Sequence, residues 1–158
     1  MGSETVSWRC APFDELTPAE LYATLRLRSA VFVVEQRCVY QDLDGNDPRC
    51  HHLLGSVGDR LVASARLLPP GLVGEEASIG RVVSDPDARG MGYGRALMVE
   101  AIATVGRLWG PGPIWIGAQA YLERFYGELG FAVCGPGYDE DGIWHLPMIR
   151  PGAATPPA

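Results

Sequence analysis

The run Arg89-Gly90-Met91-Gly92-Tyr93-Gly94-Arg95-Ala96-Leu97 sets glycines at three alternate positions directly ahead of an apolar stretch of helical period. Glycine loses more conformational freedom on folding than any other residue, so three at a helix start require a cause. The first N–H groups of a helix have no partner within it, and the macrodipole adds partial positive charge at that end. Stripped of side chains, such a turn admits a phosphate group to the bare amides. Arg89 and Arg95 flank it and can add charge-assisted contacts to a diphosphate.

The sequence on either side supplies the frame for this turn. Thr17-Pro18-Ala19-Glu20 carries a capping residue, a proline at the first helical position and the Glu of a capping box. The helix it opens runs to about Glu35, with Leu21, Leu25 and Phe32 inward. Residues 40–49 then read as a polar, structured loop. The spacing of Asp42, Asp44 and Asp47 faintly resembles a calcium loop but lacks its closing Glu. His52–Val57 and Leu61–Leu68 read as a hairpin about Gly58-Asp59-Arg60, and Ala77–Val83 as a third strand. Leu97, Ala101, Val105 and Leu108 mark the inner face of the helix after the glycines, which Gly110-Pro111-Gly112-Pro113 ends. A strand at 114–116, a helix at 120–129 closed by Gly130, and strands at 131–134 and 143–148 complete the pattern. A meander followed by strand–helix–strand units implies a mixed α/β sheet with helices on both faces.

Composition narrows the classes of function. With 158 residues the chain is long enough for one domain, which we place at 10–150. Residues 1–9 read as an N-terminal extension and the Pro/Ala-rich 151–158 as a disordered tail. A net charge of -6 with no basic stripe argues against nucleic acid as a partner. No run is long enough to span a membrane, and no signal peptide opens the chain. Cys10, Cys38, Cys50 and Cys134 show no metal-ligand spacing, so we assign no metal and expect reduced thiols in a cytoplasmic protein.

Three ligand classes use a glycine-rich helix start. A Walker loop needs Lys-Ser or Lys-Thr after its last glycine, which is absent here. A dinucleotide fingerprint needs other spacing and a position after the first strand, whereas three strands precede this one. A coenzyme with a pyrophosphate on the helix and a pantetheine arm along the preceding strand remains.

At these residues the chain resembles the GNAT superfamily of N-acetyltransferases. Arg89-x-x-Gly92-x-Gly94 after Ile79-Gly80-Arg81-Val82-Val83 is similar to its acetyl-CoA signature. Gln119 to Phe131, with Tyr126 followed by Gly130-Phe131, resembles its closing helix. Leu27–Gln36, Tyr40–Gly45 and Asp141–His145 are similar to the ElaA-like branch. The resemblance covers roughly residues 10 to 150.

It implies a three-layer α/β/α fold whose mixed, mostly antiparallel sheet splays at the acetyl-CoA site. The implied activity is transfer of an acetyl group from acetyl-CoA, as cosubstrate, to a primary amine of a small molecule or peptide. Backbone groups at Val82 and Val83 would meet the pantetheine and the acetyl oxygen. Arg89, Gly90, Met91, Gly92, Tyr93, Gly94 and Arg95 would hold the pyrophosphate. Gln119 stands where many relatives carry an asparagine that bonds the pantetheine. Tyr126 matches the tyrosine that protonates the leaving thiolate; without the motif it would read as a surface tyrosine of an amphipathic helix.

Glu35, His52 and His145 are the titratable candidates for a base, and any of them can equally be a satisfied structural group. Arg81 either reaches a carboxylate in the acceptor cleft or is paired structurally. Acidic loop residues (Asp42, Asp44, Asp47, Asp139, Glu140, Asp141) would favour a cationic acceptor if they rim the cleft. A homodimer is open, since the superfamily commonly dimerises. An acyl-homoserine-lactone-synthase-like transferase and a non-catalytic acyl-CoA sensor or interaction module are the alternative readings.

Overall fold

The computed structural model describes residues 5–152. Its eight strands are β1 (Ser7–Pro12), β2 (His51–Val57), β3 (Arg60–Leu68), β4 (Ala77–Ser84), β5 (Ile114–Gln119), β6 (Ala132–Val133), β7 (Tyr138–Glu140) and β8 (Ile143–Arg150). They form one sheet in the order β1-β2-β3-β4-β5-β8-β6, with β7 also paired to β8. Every pairing is antiparallel except β4 with β5. Strand β1 begins at Ser7, so the stretch 1–9 gives its last three residues to the sheet instead of preceding it. Of the tail, only Pro151 and Gly152 fall within the described residues.

Helix α1 (Pro18–Arg28) starts as its sequence dictates. The Thr17 hydroxyl accepts from the Glu20 amide at 3.1 Å, and the Thr17 amide donates to Glu20 at 2.9 Å. From Ser29 to Glu35 the chain widens into a π-helical turn, where a continuous α-helix was expected. The inward face differs too. Thr24, Leu27, Arg28 and Val31 are buried, while Leu21, Leu25 and Phe32 are half-buried. A pattern read from apolar residues excludes Arg28 from the core, yet Arg28 is 1% exposed because two carboxylates neutralise it there.

Helix α2 (Tyr93–Trp109) buries Leu97, Met98, Ala101 and Val105 against Leu53, Ala63, Ala65, Leu67 and Ile79. Leu108, expected on that face, is 38% exposed in the last turn. On the opposite face Leu27 and Val31 pack with Val83 in a smaller cluster. The expected helix at 120–129 is a 3-10 turn (Ala120–Leu122) followed by the short α3 (Glu123–Gly127).

Two irregularities in β4 position the site. Arg66 pairs with Gly80 and Ser64 with Val83, so β4 carries one residue more than β3 in this interval. Such a bulge bends a strand and re-aims its side chains, and Arg81 within it has φ 48°. On the other side β4 pairs with β5 only at Ala77↔Ile114 and Ser78↔Trp115. Beyond Ser78 the two strands diverge.

Candidate active site

The divergence opens a cleft of about 880 Å³. Of the residues singled out in the sequence, Glu35, Val82, Val83, Arg89, Gly94, Gln119, Tyr126 and His145 line it, and so do Arg81 and the loop acids Asp44, Glu140 and Asp141. Gly90, Met91, Gly92, Tyr93 and Arg95 lie outside that lining, on the adjoining loop and first helical turn. Val82 and Val83 also serve the core, one packing toward each face of the sheet.

The start of α2 is built on glycine backbone. Gly90 and Gly92 have φ of 85° and 79°, in the left-handed region that glycine enters without penalty. No side chain caps the helix, and the first intrahelical bond runs from the Ala96 amide to the Gly92 carbonyl. The amides of Tyr93, Gly94 and Arg95 are thus left without an intrahelical acceptor. Gly94 has an ordinary helical backbone and open space where a Cβ would stand. Gly106 and Gly127 are helical and equally open, but of the three only Gly94 lines the cleft.

Both flanking arginines are engaged by carboxylates. Arg89 is hydrogen-bonded to Glu35, which holds its pKa up, and Arg95 to Glu128. All four side chains are substantially exposed, so these pairs are weak and exchangeable with other anions. Glu35, a candidate base, is thereby tied to the glycine loop.

Tyr126 is 6% exposed, with its ring set against Phe125 and Phe131 at centroid distances of 5.0 and 6.0 Å. Burial pushes its hydroxyl up to about 12, with Tyr121 a secondary contributor. The phenol therefore stays protonated at neutral pH. Tyr121 is 74% exposed, at the rim.

His145 sits on β8 opposite Gln119 of β5 and Tyr138 of β7. Its Nδ1 donates to the Ile143 carbonyl at 2.8 Å, since a carbonyl can only accept. The Tyr138 ring stacks on the imidazole, centroids 5.7 Å apart at 21°. Gly117 permits this: a Cβ on it would lie 2.4 Å from the Tyr138 hydroxyl. His52, the third candidate base, is a structural group. It is 1% exposed, its Nε2 bonds the Asp47 carbonyl at 2.9 Å, and burial lowers its pKa.

The structure decides the role of three loop acids and of Arg81. Asp42 accepts from Arg28 (2.9 Å) and Arg81 (2.7 Å), and Asp47 from Arg28 (2.9 Å) and Arg66 (3.1 Å). Asp44 accepts from Arg66 at 2.6 Å, which with other contacts holds it well below the usual carboxylate range. Although burial opposes ionisation of Asp47, Arg28 and Arg66 keep it low as well. Three arginines thus balance three aspartates, and these acids do not attract a cationic acceptor. Arg81 is paired, and it also lies 5.7 Å over the Tyr40 ring. The acids left unneutralised near the cleft are those of 139–141.

Sequence reasoning missed Gln36 and Tyr138, both of which line the cleft, and it named Glu140 only as one of several loop acids and Cys38 only as a thiol. Asp141-Gly142, with φ of 54° and 84°, is the two-residue turn of a β7–β8 hairpin. An Asp-Gly turn of this kind is a strong hairpin signal, and alternation then puts Tyr138, Glu140, Ile143 and His145 on one face.

An uncapped, glycine-lined helix start beside a bulged and splayed strand pair is an arrangement suited to an acyl-CoA-dependent acyltransferase of the α/β/α class. A family profile for the acetyltransferase (GNAT) domain matches residues 17–150, and the chain belongs to that family. It is similar to protein ElaA of Escherichia coli, at 43% identity over 147 residues that make up 92% of this chain and 96% of that protein. The crystal structure of Escherichia coli ElaA superposes with a TM-score of 0.86 at 42% identity, over 92% of this chain and 99% of that one. An acyl-CoA N-acyltransferase from Pseudomonas aeruginosa gives a TM-score of 0.86 at 44% identity, over 91% and 99% respectively. The chain is an acyltransferase of the ElaA-like group.

Proposed function

We propose that the chain transfers an acetyl group from acetyl-CoA to a primary amine of a small molecule or peptide, by direct attack on the thioester. The observation that carries this is Gly94, a helical glycine whose open side faces the splay and which the chain itself does not need. The pyrophosphate occupies the free amides of α2, and Arg89 and Arg95 exchange Glu35 and Glu128 for it. The pantetheine follows β4 past the bulge, where Val82 and Val83 present backbone that β5 does not pair. Donors fixed there stabilise the oxyanion of the tetrahedral intermediate.

In the chemical step the amine nitrogen bonds the acetyl carbon and the carbon–sulfur bond breaks. Tyr126 donates its phenolic proton to the departing thiolate, and the phenolate recovers one from the new amide nitrogen. Coenzyme thiols have pKa values near that of cysteine, about 8.5, and burial holds the phenol above that. The donation therefore runs uphill and is drawn forward by the strongly acidic proton on the new amide nitrogen. Among the candidate bases His145 is favoured, since Glu35 is paired with Arg89 and His52 lies outside the cleft. Cys10, Cys38, Cys50 and Cys134 are all free thiols, which suits a reducing cytoplasmic location.

Calorimetry of acetyl-CoA with the native chain and with Gly94→Glu tests the reading. An acidic residue in the first helical turn suits the macrodipole, so the variant folds, yet its carboxylate repels a pyrophosphate. The native chain is expected to bind and the variant not to. Equal binding by both removes the site assignment. Binding without thiol release across a panel of primary amines makes the chain an acyl-CoA sensor instead.

A further inference from the structure

We propose that His145 Nε2 and the Glu140 carboxylate together seat the acceptor's ammonium group, so that the acceptor arrives charged and surrenders its proton there. This rests on the acyl-transfer reading above and adds Glu140, and the protonation state of the substrate, to it.

Because Nδ1 carries the proton given to the Ile143 carbonyl, the neutral ring presents only a lone pair at Nε2. The Glu140 carboxylate oxygen stands 3.4 Å from that nitrogen. Two acceptors this close repel unless a donor comes between them. That donor is either a proton on Nε2 or an N–H group of a ligand, and a primary ammonium with three N–H bonds can satisfy both acceptors at once. The seat is built rather than incidental. The His145 side chain is 9% exposed and held by Tyr138, which glycine at 117 allows into place. Glu140 is 57% exposed and open to the cleft mouth.

The surrounding charges fit a cation. Tyr138 and Glu140 face His145 from β7, the uncharged Gln119 from β5, and Asp141 from the turn, where its carbonyl accepts from the Cys38 thiol at 3.1 Å. Glu35 and Tyr126 stand on other walls of the same cleft. Among the described residues no arginine pairs with Glu140, and the cleft cations Arg66, Arg81 and Arg89 are paired with Asp42, Asp44, Asp47 and Glu35. The proton balance closes. The ammonium gives one proton to Nε2, the freed lone pair attacks the thioester, and the imidazolium, held opposite Glu140, returns its proton to solvent before the next turnover.

The test is ¹⁵N NMR of the histidine rings in the full chain, titrated with methylammonium chloride and, at equal ionic strength, tetramethylammonium chloride. The expected result is that methylammonium shifts both His145 ring nitrogens, because its N–H engages the Nε2 lone pair directly. Tetramethylammonium, with the same charge and no N–H, leaves both unchanged. Glu140→Gln is expected to weaken the methylammonium response by about tenfold, the loss of one charged hydrogen bond. It should keep the Nδ1–H tautomer, which also reports an intact fold. Equal responses to the two cations, no response to either, or a Glu140→Gln chain that responds like the native one would each overturn the proposal. Acetyl-CoA takes no part in this measurement, so failure of the coenzyme assignment and failure of the ammonium seat are separately visible.

Discussion

Gln36 and Gln119 exchange side-chain hydrogen bonds across the cleft, the Nε2 of each reaching the Oε1 of the other at 3.3 and 3.4 Å. These are long for amide hydrogen bonds and cost little to open. They join the end of the π-helical turn to the end of β5, while the neighbouring Glu35 reaches Arg89 on the glycine loop. Two consecutive residues therefore bridge both arms of the splay.

If the Gln119 amide turns toward the pantetheine when coenzyme binds, Gln36 competes with the coenzyme for it. Gln36→Ala is then expected to tighten acetyl-CoA binding about two- to fivefold, and Gln119→Ala to weaken it by a similar factor, each the worth of roughly one neutral hydrogen bond. Calorimetry on the two variants reads both. Equal weakening by both would make Gln36 a ligand contact rather than a competitor.

Tyr126→Phe should leave the fold intact, because the ring and not the hydroxyl packs against Phe125 and Phe131. Loss of the proton donor is expected to lower kcat by about 10²- to 10⁴-fold with little change in coenzyme affinity. Since burial raises the phenol to about 12, an alkaline limb of the native rate profile below that pH belongs to another group and persists in the variant. Steady-state kinetics from neutral to alkaline pH on both chains decides this, and a variant with native kcat removes Tyr126 from the chemistry.

The buried ion network should govern acid stability. Asp44 and Asp47 have folded pKa values held below their unfolded values, near 3.9. Their contribution is therefore fully present above about pH 5 and is lost as pH falls through 4 toward the folded values. Urea unfolding at stepped pH should show native stability falling over this window, and Asp44→Asn should show a shallower slope. Asp47→Asn leaves Arg28 and Arg66 short of a carboxylate in the interior, at an expected cost of about 3–5 kcal/mol at neutral pH. A midpoint unchanged in Asp47→Asn would show the network to be energetically idle.

The elements that the sequence made legible are those set by local rules: the Thr17–Glu20 capping box, the β2–β3 hairpin and the glycine start of α2. What stayed hidden depends on residues distant in the chain. Arg28 reads as a surface charge until Asp42 and Asp47, 14 and 19 residues on, are folded over it. Arg81 takes a left-handed backbone only because β3 and β4 pair out of step, and no local pattern announces that. Strand β1 is short and edge-placed, and its Trp8, Cys10 and Pro12 alternate too weakly to stand out. Glu140 is a different case. Its Asp-Gly turn signal was present in the sequence, and reading it as a hairpin places that carboxylate beside His145 without any structure.

Gly92 and Gly94 are two positions apart and should answer substitution in opposite ways. At Gly92 the φ of 79° makes alanine strained, by roughly 1 kcal/mol, although there is space for its methyl. At Gly94 the backbone is helical and the space open, so alanine should stabilise the fold by up to about 1 kcal/mol through higher helix propensity. If coenzyme approaches the amide of Gly94, that same methyl stands in its path, and Gly94→Ala should melt at higher temperature while binding acetyl-CoA more weakly. Thermal unfolding and calorimetry on the one variant measure both. A gain in stability with unchanged binding would mean that the glycine answers to nothing at this site, and the observation on which the coenzyme assignment rests would fall with it.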